Sequence, residues 1–331
     1  YILLLLVLLV SSFSFAQEDS ESVDTENIEE VVTSALRKDT ALQDTGLAVT
    51  VLTASDIESK NLKEFYDFQF NVPGVLFNKT NFSGAGVQIR GISNYAVGGS
   101  FSAVAVPRQD DINMGTLQMA QNELFDLASF EVLRGPQGTL YGRNSIGGAI
   151  NIITKEPDQG DVTKINTEFG TRGRVKADLF VNHGLTDTLS FNMNMAFNKR
   201  DGLGEFINVP DAEYDVGETE DVSGRLSVKW EPSNDFRMVL TADGNNGDGG
   251  LRPYTVLIDE VGSDRYFGGQ NGVGVPLRNT DVTPEGADIY DNATGTEAVT
   301  GVSNEARGLS LTTEWDINED YTAKVVASQR T

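Results

Sequence analysis

"LRGPQGTLYGRNSIGGAINIITKEP", residues 133–157, places five glycines and two arginines ahead of a β-branched run. A phosphate-binding loop of the GxxxxGK[ST] type has a lysine directly after its glycines, and this stretch has none there. A dinucleotide-binding loop leads from a strand into a helix, whereas the AINIITK after these glycines is typical of a strand. The glycines instead fit tight turns and close backbone contacts in a crowded interior: Gly135, Gly138, Gly142, Gly147 and Gly148.

Composition excludes several classes of protein. The chain has 331 residues, with 25 Lys plus Arg against 49 Asp plus Glu, and no Cys. A net charge of −24 argues against a nucleic-acid partner, because phosphate contacts need a basic patch. There is no Gly-x-Ser-x-Gly elbow, and the single histidine, His183, lies in an alternating strand without a carboxylate cluster. We therefore expect no enzyme, no cofactor and no metal site.

The N-terminus has the pattern of an exported protein. The apolar run YILLLLVLLV is followed by small residues at Ser14 and Ala16, as before a signal-peptide cleavage site. A membrane anchor is the alternative, but this run is well short of the roughly 20 residues that span a bilayer. We expect a signal peptide at residues 1–16 and a flexible periplasmic segment at residues 17–45, whose start is acidic and lacks aromatics. We also expect that both ends of the chain are truncated.

Residues 46–157 predict a compact α+β region. A strand is indicated by Val49, Val51 and Leu52. Ser55 is the expected N-cap of a helix, with Glu58 three residues on, and Pro73-Gly74 is its expected end. Apolar residues recur in that helix at roughly helical spacing: Ile57, Leu62, Phe65 and Phe68. Further short strands are expected at 87–90, 103–106 and 130–133.

From residue 163 onward the sequence alternates between apolar and polar residues. LSFNMNMAFNK (189–199) and VSGRLSVKW (222–230) have the length of tilted membrane-spanning strands. Short connections (GLTDT, EPSND and INED) alternate with long ones at about 200–221 and 246–306, as in outer-membrane barrels. Aromatic residues flank two of the short turns: Trp230 and Phe236, and Trp315 and Tyr321. A soluble β-sandwich also alternates and is the alternative.

These segments together resemble a TonB-dependent outer-membrane receptor. The resemblance rests on the alternating strands and on four motifs in the family's order: IEEVVTSA (28–35), NVPGV (71–75), VQIRGI (87–92) and the segment from Phe130 to Pro157. It implies an α+β plug domain at residues 46–157 inside a transmembrane antiparallel β-barrel. About 22 strands are expected in the full protein, and residues 158–331 would supply only the first of them.

The resemblance also implies site residues. A stretch that pairs with TonB is expected at residues 28–34: Ile28, Glu29, Glu30, Val31, Val32, Thr33 and Ser34. A strand that simply begins the plug is the alternative for these residues. Arg90 and Arg134 are expected to form ion pairs with barrel glutamates, since a buried arginine without a partner is costly. The outward plug loops, 80–86 and 93–102, would contact ligand through Phe82, Tyr95 and Phe101, although plug packing is an alternative role for these aromatics.

The function expected from the resemblance is active import of a scarce, large solute across the outer membrane. TonB and outer-membrane lipid are the expected partners, and a ferric siderophore is the expected ligand. Cobalamin or a carbohydrate is the alternative cargo, and phages or bacteriocins are further possible users of such a receptor. A passive porin would need neither a plug nor a TonB segment. One departure from the family is VAVPRQDDINMG (104–115), where Pro107 argues for an edge strand or a bulge.

Overall fold

A computed structural model describes residues 32–33, 40–41, 45–79, 85–93, 105, 107–114, 127–142, 144–204, 212–250 and 301–331. In residues 32–157 the strands are β1 (Val32–Thr33), β2 (Thr40–Ala41), β3 (Val49–Thr53), β4 (Val75–Lys79), β5 (Ala85–Ile89), β6 (Ile92–Ser93), β7 (Pro107–Gln109), β8 (Ile112–Asn113), β9 (Leu127–Arg134) and β10 (Gly148–Thr154). The helices are α1 (Ala54–Ser59), α2 (Phe65–Phe68) and α3 (Gly138–Tyr141). The remaining strands are β11 (Val162–Phe169), β12 (Val175–Thr186), β13 (Leu189–Arg200), β14 (Thr219–Ser233), β15 (Phe236–Gly250), β16 (Gly301–Asn318) and β17 (Tyr321–Arg330). No helix in these ranges is both long enough and apolar enough to cross a bilayer.

The plug region, residues 46–157, contains a mixed sheet with the strand order β3-β9-β10-β7-β8 and a smaller sheet, β4-β5-β6. Helices α1 and α2 cover a core centred on Phe130, which is fully buried. The Phe68 ring stacks on Phe130 with centroids 4.0 Å apart, and Phe65 meets it edge-on at 5.8 Å. Fully burying a phenylalanine side chain contributes roughly 1.5–3 kcal/mol, so these three rings are a main source of the plug's stability.

The single helix expected from the apolar spacing is two helices, and its predicted cap at Ser55 is wrong. Thr53 is the N-cap of α1: its side chain accepts from the backbone of Asp56, and the Asp56 carboxylate accepts from the Thr53 backbone. The first helix ends because Asn61 adopts a left-handed conformation with φ +51°. The apolar residues Ile57, Leu62, Phe65 and Phe68 still recur at roughly helical spacing, because both helices direct their apolar side chains into the same core.

The glycine-rich stretch is a point of close backbone contact. It links β9 to β10 through α3, and these two strands pair antiparallel from Gly148 opposite Arg134. A β-carbon on Gly148 would stand 2.1 Å from the Leu133 carbonyl oxygen and 2.9 Å from Ile89 Cδ1. No side chain fits there, so the strand pair at the centre of the sheet requires glycine at this position.

The barrel segment, residues 158–331, contains one antiparallel sheet in the order β11 to β17. Three connections span only two residues each, and they join β12 to β13, β14 to β15, and β16 to β17. The predicted long loop at 246–306 is shorter than expected, because β15 runs to Gly250 and β16 starts at Gly301, with these two residues paired. Within the described residues β11 and β17 are the two edges of the sheet.

The two faces of this sheet have the reverse of a soluble protein's polarity. On β13 the polar residues at even positions are buried, including Ser190, Asn192 and Asn194. The apolar residues at odd positions face away from the plug region, and Met195 is 49% exposed. A β-sandwich buries its apolar face, whereas a membrane barrel turns that face toward lipid. The alternation therefore belongs to a barrel wall, and the sandwich alternative is wrong.

We predict that Gly148→Ala prevents correct assembly of the plug, since its β-carbon would overlap the Leu133 carbonyl. The measurement is the yield of folded, heat-modifiable protein in the membrane fraction, together with protease resistance of residues 46–157. Gly138→Ala is the matched control, because no atom lies within 4 Å of its β-carbon position and its backbone is helical. Normal yield of Gly148→Ala would contradict the assignment.

Candidate functional site: the contact between plug region and barrel wall

Most of the residues predicted to contact TonB or ligand lie outside the described part of the chain. These are Ile28, Glu29, Glu30, Val31, Ser34, Phe82, Tyr95 and Phe101. Val32 and Thr33 are described, and they form β1, which pairs with β2. Thr33 is buried. The pairing fits the alternative in which this strand begins the plug, and the TonB-binding role of 28–34 stays a prediction.

The two arginines singled out from the sequence converge on one turn of the plug region. Arg90 Nη1 lies 3.7 Å from where a β-carbon on Gly135 would stand, and the Arg90 backbone N–H donates to the Gly74 carbonyl at 2.8 Å. Arg134 Nη1 donates to the Pro73 carbonyl at 3.3 Å. The structure therefore brings three sequence motifs together: NVPGV, IRG and LRGP. Neither arginine forms an ion pair with a carboxylate in the described ranges, and their pairing with barrel glutamates stays a prediction.

The segment that departs from the family pattern is a tight hairpin. Asp110 and Asp111 both have positive φ, at 49° and 67°, which makes the turn between β7 and β8 type I′. Aspartate tolerates this conformation better than most residues. Pro107 does not lie on an edge strand or at a bulge, because β7 is between β10 and β8. It is the first residue of β7, and its missing N–H falls where pairing with the two-residue β8 ends.

Among the residues that the structure describes, six ion pairs cross from the plug region to the inner face of the barrel segment. In five of them the plug supplies the carboxylate and the wall supplies the cation, and in one the order is reversed. The five are Glu58 with Lys164, Glu64 with Lys176, Asp110 with Arg225, Asp111 with Lys324, and Glu156 with Arg237. The reversed pair is Lys63 with Asp178, at 2.9 Å. Sequence analysis predicted none of the six, although the wall residues of these pairs occupy polar positions of the alternating strands.

Burial differs among the ion pairs of this plug–wall contact, which we call the seam. Lys176 is 3% exposed, and the side chains of Lys63 and Asp178 are 22% and 12% exposed. Lys324 and Asp111 are 45% and 35% exposed. The pairs of β12, Glu64 with Lys176 and Lys63 with Asp178, are therefore largely desolvated, whereas Glu58 with Lys164 and Asp111 with Lys324 are partly exposed.

The pKa values of two plug carboxylates, Asp110 and Glu58, are shifted in opposite directions. Burial raises the pKa of Asp110, against the effect of the Arg225 guanidinium and of two hydrogen bonds from Thr154. The folded protein therefore holds the Asp110 proton to a higher pH than the unfolded chain does. The contribution of Asp110 to stability falls as the pH rises from the unfolded-state pKa through the folded-state pKa. A hydrogen bond from the Lys164 ammonium lowers the pKa of Glu58. Glu58 therefore contributes to stability at pH values above the ordinary glutamate pKa, and this contribution is lost as the pH falls through the lowered pKa.

The chain that joins plug to barrel is tied to the wall by asparagines. Asn182 Nδ2 donates to the Asp158 side chain at 2.7 Å and to the Gly160 carbonyl at 2.6 Å. Asn192 Nδ2 donates to the Lys155 carbonyl at 2.8 Å. Both asparagines are buried on the inner face of β12 and β13. These contacts hold the C-terminal end of the plug region firmly beside the first wall strands.

A cavity of about 520 Å³ lies between α1 and strands β11 and β12. Acidic and basic side chains line the cavity, and four of them pair between plug and wall: Glu58, Lys63, Lys164 and Asp178. No group of three or more metal-ligating side chains occurs in the described residues. The cavity thus belongs to the plug–wall contact.

The comparisons with known proteins agree with this architecture. A profile of the TonB-dependent Receptor Plug Domain matches residues 41–149. The iron-regulated outer membrane virulence protein of Vibrio cholerae is 30% identical over 285 residues, which cover 73% of this chain and 42% of that protein. The chain belongs to the TonB-dependent outer-membrane receptors. Members of this family are transporters rather than enzymes, and the outer membrane is the receptor's location.

Other relatives extend the comparison. The vitamin B12 transporter of Vibrio vulnificus is 26% identical over 216 residues, covering 61% of this chain and 35% of that one. The crystal structure of the ferric yersiniabactin uptake receptor from Yersinia pestis superposes with a TM-score of 0.67 at 17% identity, covering 86% of this chain and 41% of that one. The ferripyoverdine receptor of Pseudomonas aeruginosa also superposes at 0.67, with 16% identity and coverage of 91% and 36%. The chain spans less than half the length of these relatives.

We predict that Lys63→Met destabilises the receptor by about 1–3 kcal/mol, because it leaves the desolvated Asp178 carboxylate without its cation. In the described part of the chain Asp178 Oδ1 already lacks a hydrogen-bond partner. The measurement is the temperature at which the folded, heat-modifiable band is lost.

Adding Asp178→Asn should recover part of that loss, since no unpaired charge would remain. Lys60→Met is the matched control: in the described residues Lys60, directly after α1, pairs with Asp56 of that helix and is 43% exposed. Its effect should stay within about 0.5 kcal/mol. A Lys63→Met receptor as stable as this control would show that the pair does not hold the plug.

Proposed function

We propose that this receptor imports a ferric siderophore across the outer membrane in a TonB-dependent cycle. The observation that carries the proposal is a folded plug region seated on the polar inner face of a barrel segment. A passive porin needs no such domain, and an obstructed barrel conducts a large solute only if the obstruction is moved. Several relatives are named for iron or for a siderophore, which supports this cargo class.

Energy for this cycle would arrive through residues 28–34. In our proposal TonB adds to this stretch by main-chain hydrogen bonds, as strand-addition partners do. Ligand would bind outside, on loops that include Phe82, Tyr95 and Phe101. Coupling between the two sites requires that ligand has different affinities for two plug states. Export by the predicted signal peptide at residues 1–16 is part of the same proposal.

Cobalamin is the second candidate cargo, because one relative is a vitamin B12 transporter. Carbohydrate is a third alternative, which the resemblance alone suggests. Fold does not separate these cargoes, since specificity resides in the ligand-contacting loops.

We predict that deletion of residues 28–34 in the full-length receptor abolishes uptake of radiolabelled iron supplied as ferric siderophores to iron-starved cells. Binding of the ferric siderophore at the surface should persist, because the deletion removes the energising contact only. Deletion of residues 17–23, equally long and in the acidic segment, is the matched control and should import normally. Outer-membrane levels of all variants are compared by immunoblot.

Equal uptake by the intact receptor and by cells lacking it would contradict the iron proposal. Parallel arms with labelled cobalamin and labelled oligosaccharides then decide between the other cargoes. Uptake that survives deletion of 28–34 would place the TonB contact elsewhere.

A further inference from the structure

Three connections of the barrel segment lie at the end of the sheet opposite to its two-residue turns. They join β11 to β12, β13 to β14, and β15 to β16. The structure describes 170–174 in the first connection, and 201–204 and 212–218 in the second. Gly250 and Gly301 pair with each other at the two ends of the third. We call the described part of the second connection, 201–204 with 212–218, the collar, because it contacts both of its neighbours.

On one side the collar rests on the turn between β11 and β12. The Asp201 backbone N–H donates to the Arg172 carbonyl at 2.9 Å. Arg172 and Gly173 both have a positive φ, 59° and 58°. A β-carbon on Gly173 would stand 2.3 Å from Asp201 Oδ2. The Asp201 carboxylate thus occupies the space that a side chain at position 173 would need.

Within the collar the two described segments pair with each other. Leu203 N–H donates to the Val216 carbonyl at 2.7 Å, and Val216 N–H donates to the Gly204 carbonyl at 2.9 Å. Arg200, the last residue of β13, donates from Nη2 to the Gly217 carbonyl at 2.8 Å. Val216 is fully buried. The collar is therefore folded onto itself and fastened to the end of a wall strand.

On the other side the collar crosses the paired ends of β15 and β16. Gly250 N–H donates to the Glu218 carbonyl at 2.9 Å. A β-carbon on Gly250 would stand 1.7 Å from the Asp215 carbonyl oxygen, and one on Gly301 would stand 2.7 Å from Tyr214 Cδ2. The first collision is with backbone and the second is with an aromatic ring. Neither position accepts a side chain while the collar is in place.

Glycine at these two strand ends has an energetic cost of its own. A glycine within a strand loses more conformational entropy on folding than alanine does. Gly224, inside β14, has room for a side chain, because its β-carbon would make an ordinary contact of 3.5 Å with the Asn194 carbonyl oxygen. At Gly250 and Gly301 the space is taken by the collar instead. The fold therefore depends on close contact between the collar and these strand ends.

We propose that the collar is a fixed part of the receptor's rim, which holds the three connections together and keeps its place while solute is bound and imported. It would also fix the two adjacent points, Gly250 and Gly301, at which the third connection leaves the wall. The inference rests on the proposed function in one respect, namely that the receptor goes through an import cycle.

The first test measures how often the collar opens. Val216→Cys in an otherwise cysteine-free full-length receptor supplies a buried thiol of similar size, which maleimide reaches only when the collar leaves the rim. Ala196→Cys, buried on the inner face of β13, is the matched reporter for loosening of the plug from the wall. Labelling rates are measured in membrane vesicles, on the folded, heat-modifiable protein.

Gly250→Ala, Gly301→Ala and Tyr214→Ala should each speed labelling at Val216→Cys about tenfold, because labelling follows the population of the locally opened form. Tyr214→Ala introduces no clash, so it tests the contact even where a glycine variant fails to fold. The double variant Gly301→Ala/Tyr214→Ala should label no faster than Tyr214→Ala alone, since the alanine at 301 then meets no ring. Gly224→Ala is the matched control and should leave the rate unchanged.

Labelling at Ala196→Cys should stay the same in all of these variants. An equal rise at both reporters would show that the whole receptor had loosened. Unchanged labelling at Val216→Cys would show that the glycine and tyrosine contacts do not hold the collar. Either result would overturn the proposal.

The second test asks whether the collar moves during import. Tyr214→Cys and Gly301→Cys are introduced together and joined by a short bis-methanethiosulfonate reagent. Tyr214 Cδ2 is two bonds from its own β-carbon, so the two thiols lie within reach of such a reagent. Cross-linked and reduced receptor should take up radiolabelled ferric siderophore at the same rate. Uptake that is lost on cross-linking and returns on reduction would show that the collar has to move, and the proposal would be wrong.

Failure of the proposed cargo is distinguishable from failure of the collar. If the reduced receptor imports no ferric siderophore, the cargo proposal fails, and the cross-linking test is repeated with labelled cobalamin and labelled oligosaccharides. The labelling rates at Val216→Cys decide in either case whether the contacts hold the collar.

Discussion

Burial of a polar sheet face against a charged domain is the constraint on which the rest of this structure depends. The inner positions of the wall strands carry asparagine, serine, lysine and arginine, and burying such groups without partners would be costly. The plug region supplies carboxylates to several of the cations, and the segment after β10 supplies backbone carbonyls to Asn182 and Asn192. Plug and wall are therefore complementary in charge. The charged groups of either part would be costly to bury without the other part.

The same constraint explains the plug's internal rigidity. Wall contacts are made by α1, by the residues just before α2, by the β7–β8 turn and by the segment after β10, which adjoin the five-stranded sheet or its core. That sheet depends on close approach of β9 and β10 at Gly148 and on the aromatic packing around Phe130. A core built from glycine contacts and ring stacking thus holds charged groups at the distances at which they pair with the wall.

Much of the fold follows from the sequence, for reasons that particular residues make clear. The period-two pattern at 189–199 correctly separated the two faces of β13, because a strand that faces lipid on one side must alternate. The glycine-rich stretch correctly predicted close packing, since its context excluded phosphate binding. The cap at Ser55 was wrong because Thr53 with Asp56 has the same residue spacing two positions earlier, and Asn61 gave no signal that it would break the helix.

The candidate site was harder to predict. Arg90 and Arg134 stood out because they lie in short motifs, and the structure does bring those motifs together. The wall bases do not lie in motifs: Lys176, Arg225 and Lys324 come from strands far apart in the chain, and the pairing register alone places them opposite plug carboxylates. Single-sequence patterns specify which face a residue occupies but not its partner across a seam.

The polarity of the seam has a consequence for domain exchange. In the described part of the chain five of the six pairs place the negative charge on the plug, so this plug and its wall form a matched set. A plug transplanted from a receptor with the opposite polarity would bring like charges together at each of these points. The plug region and its wall strands should therefore be inherited together, and recombination between related receptors should seldom separate them.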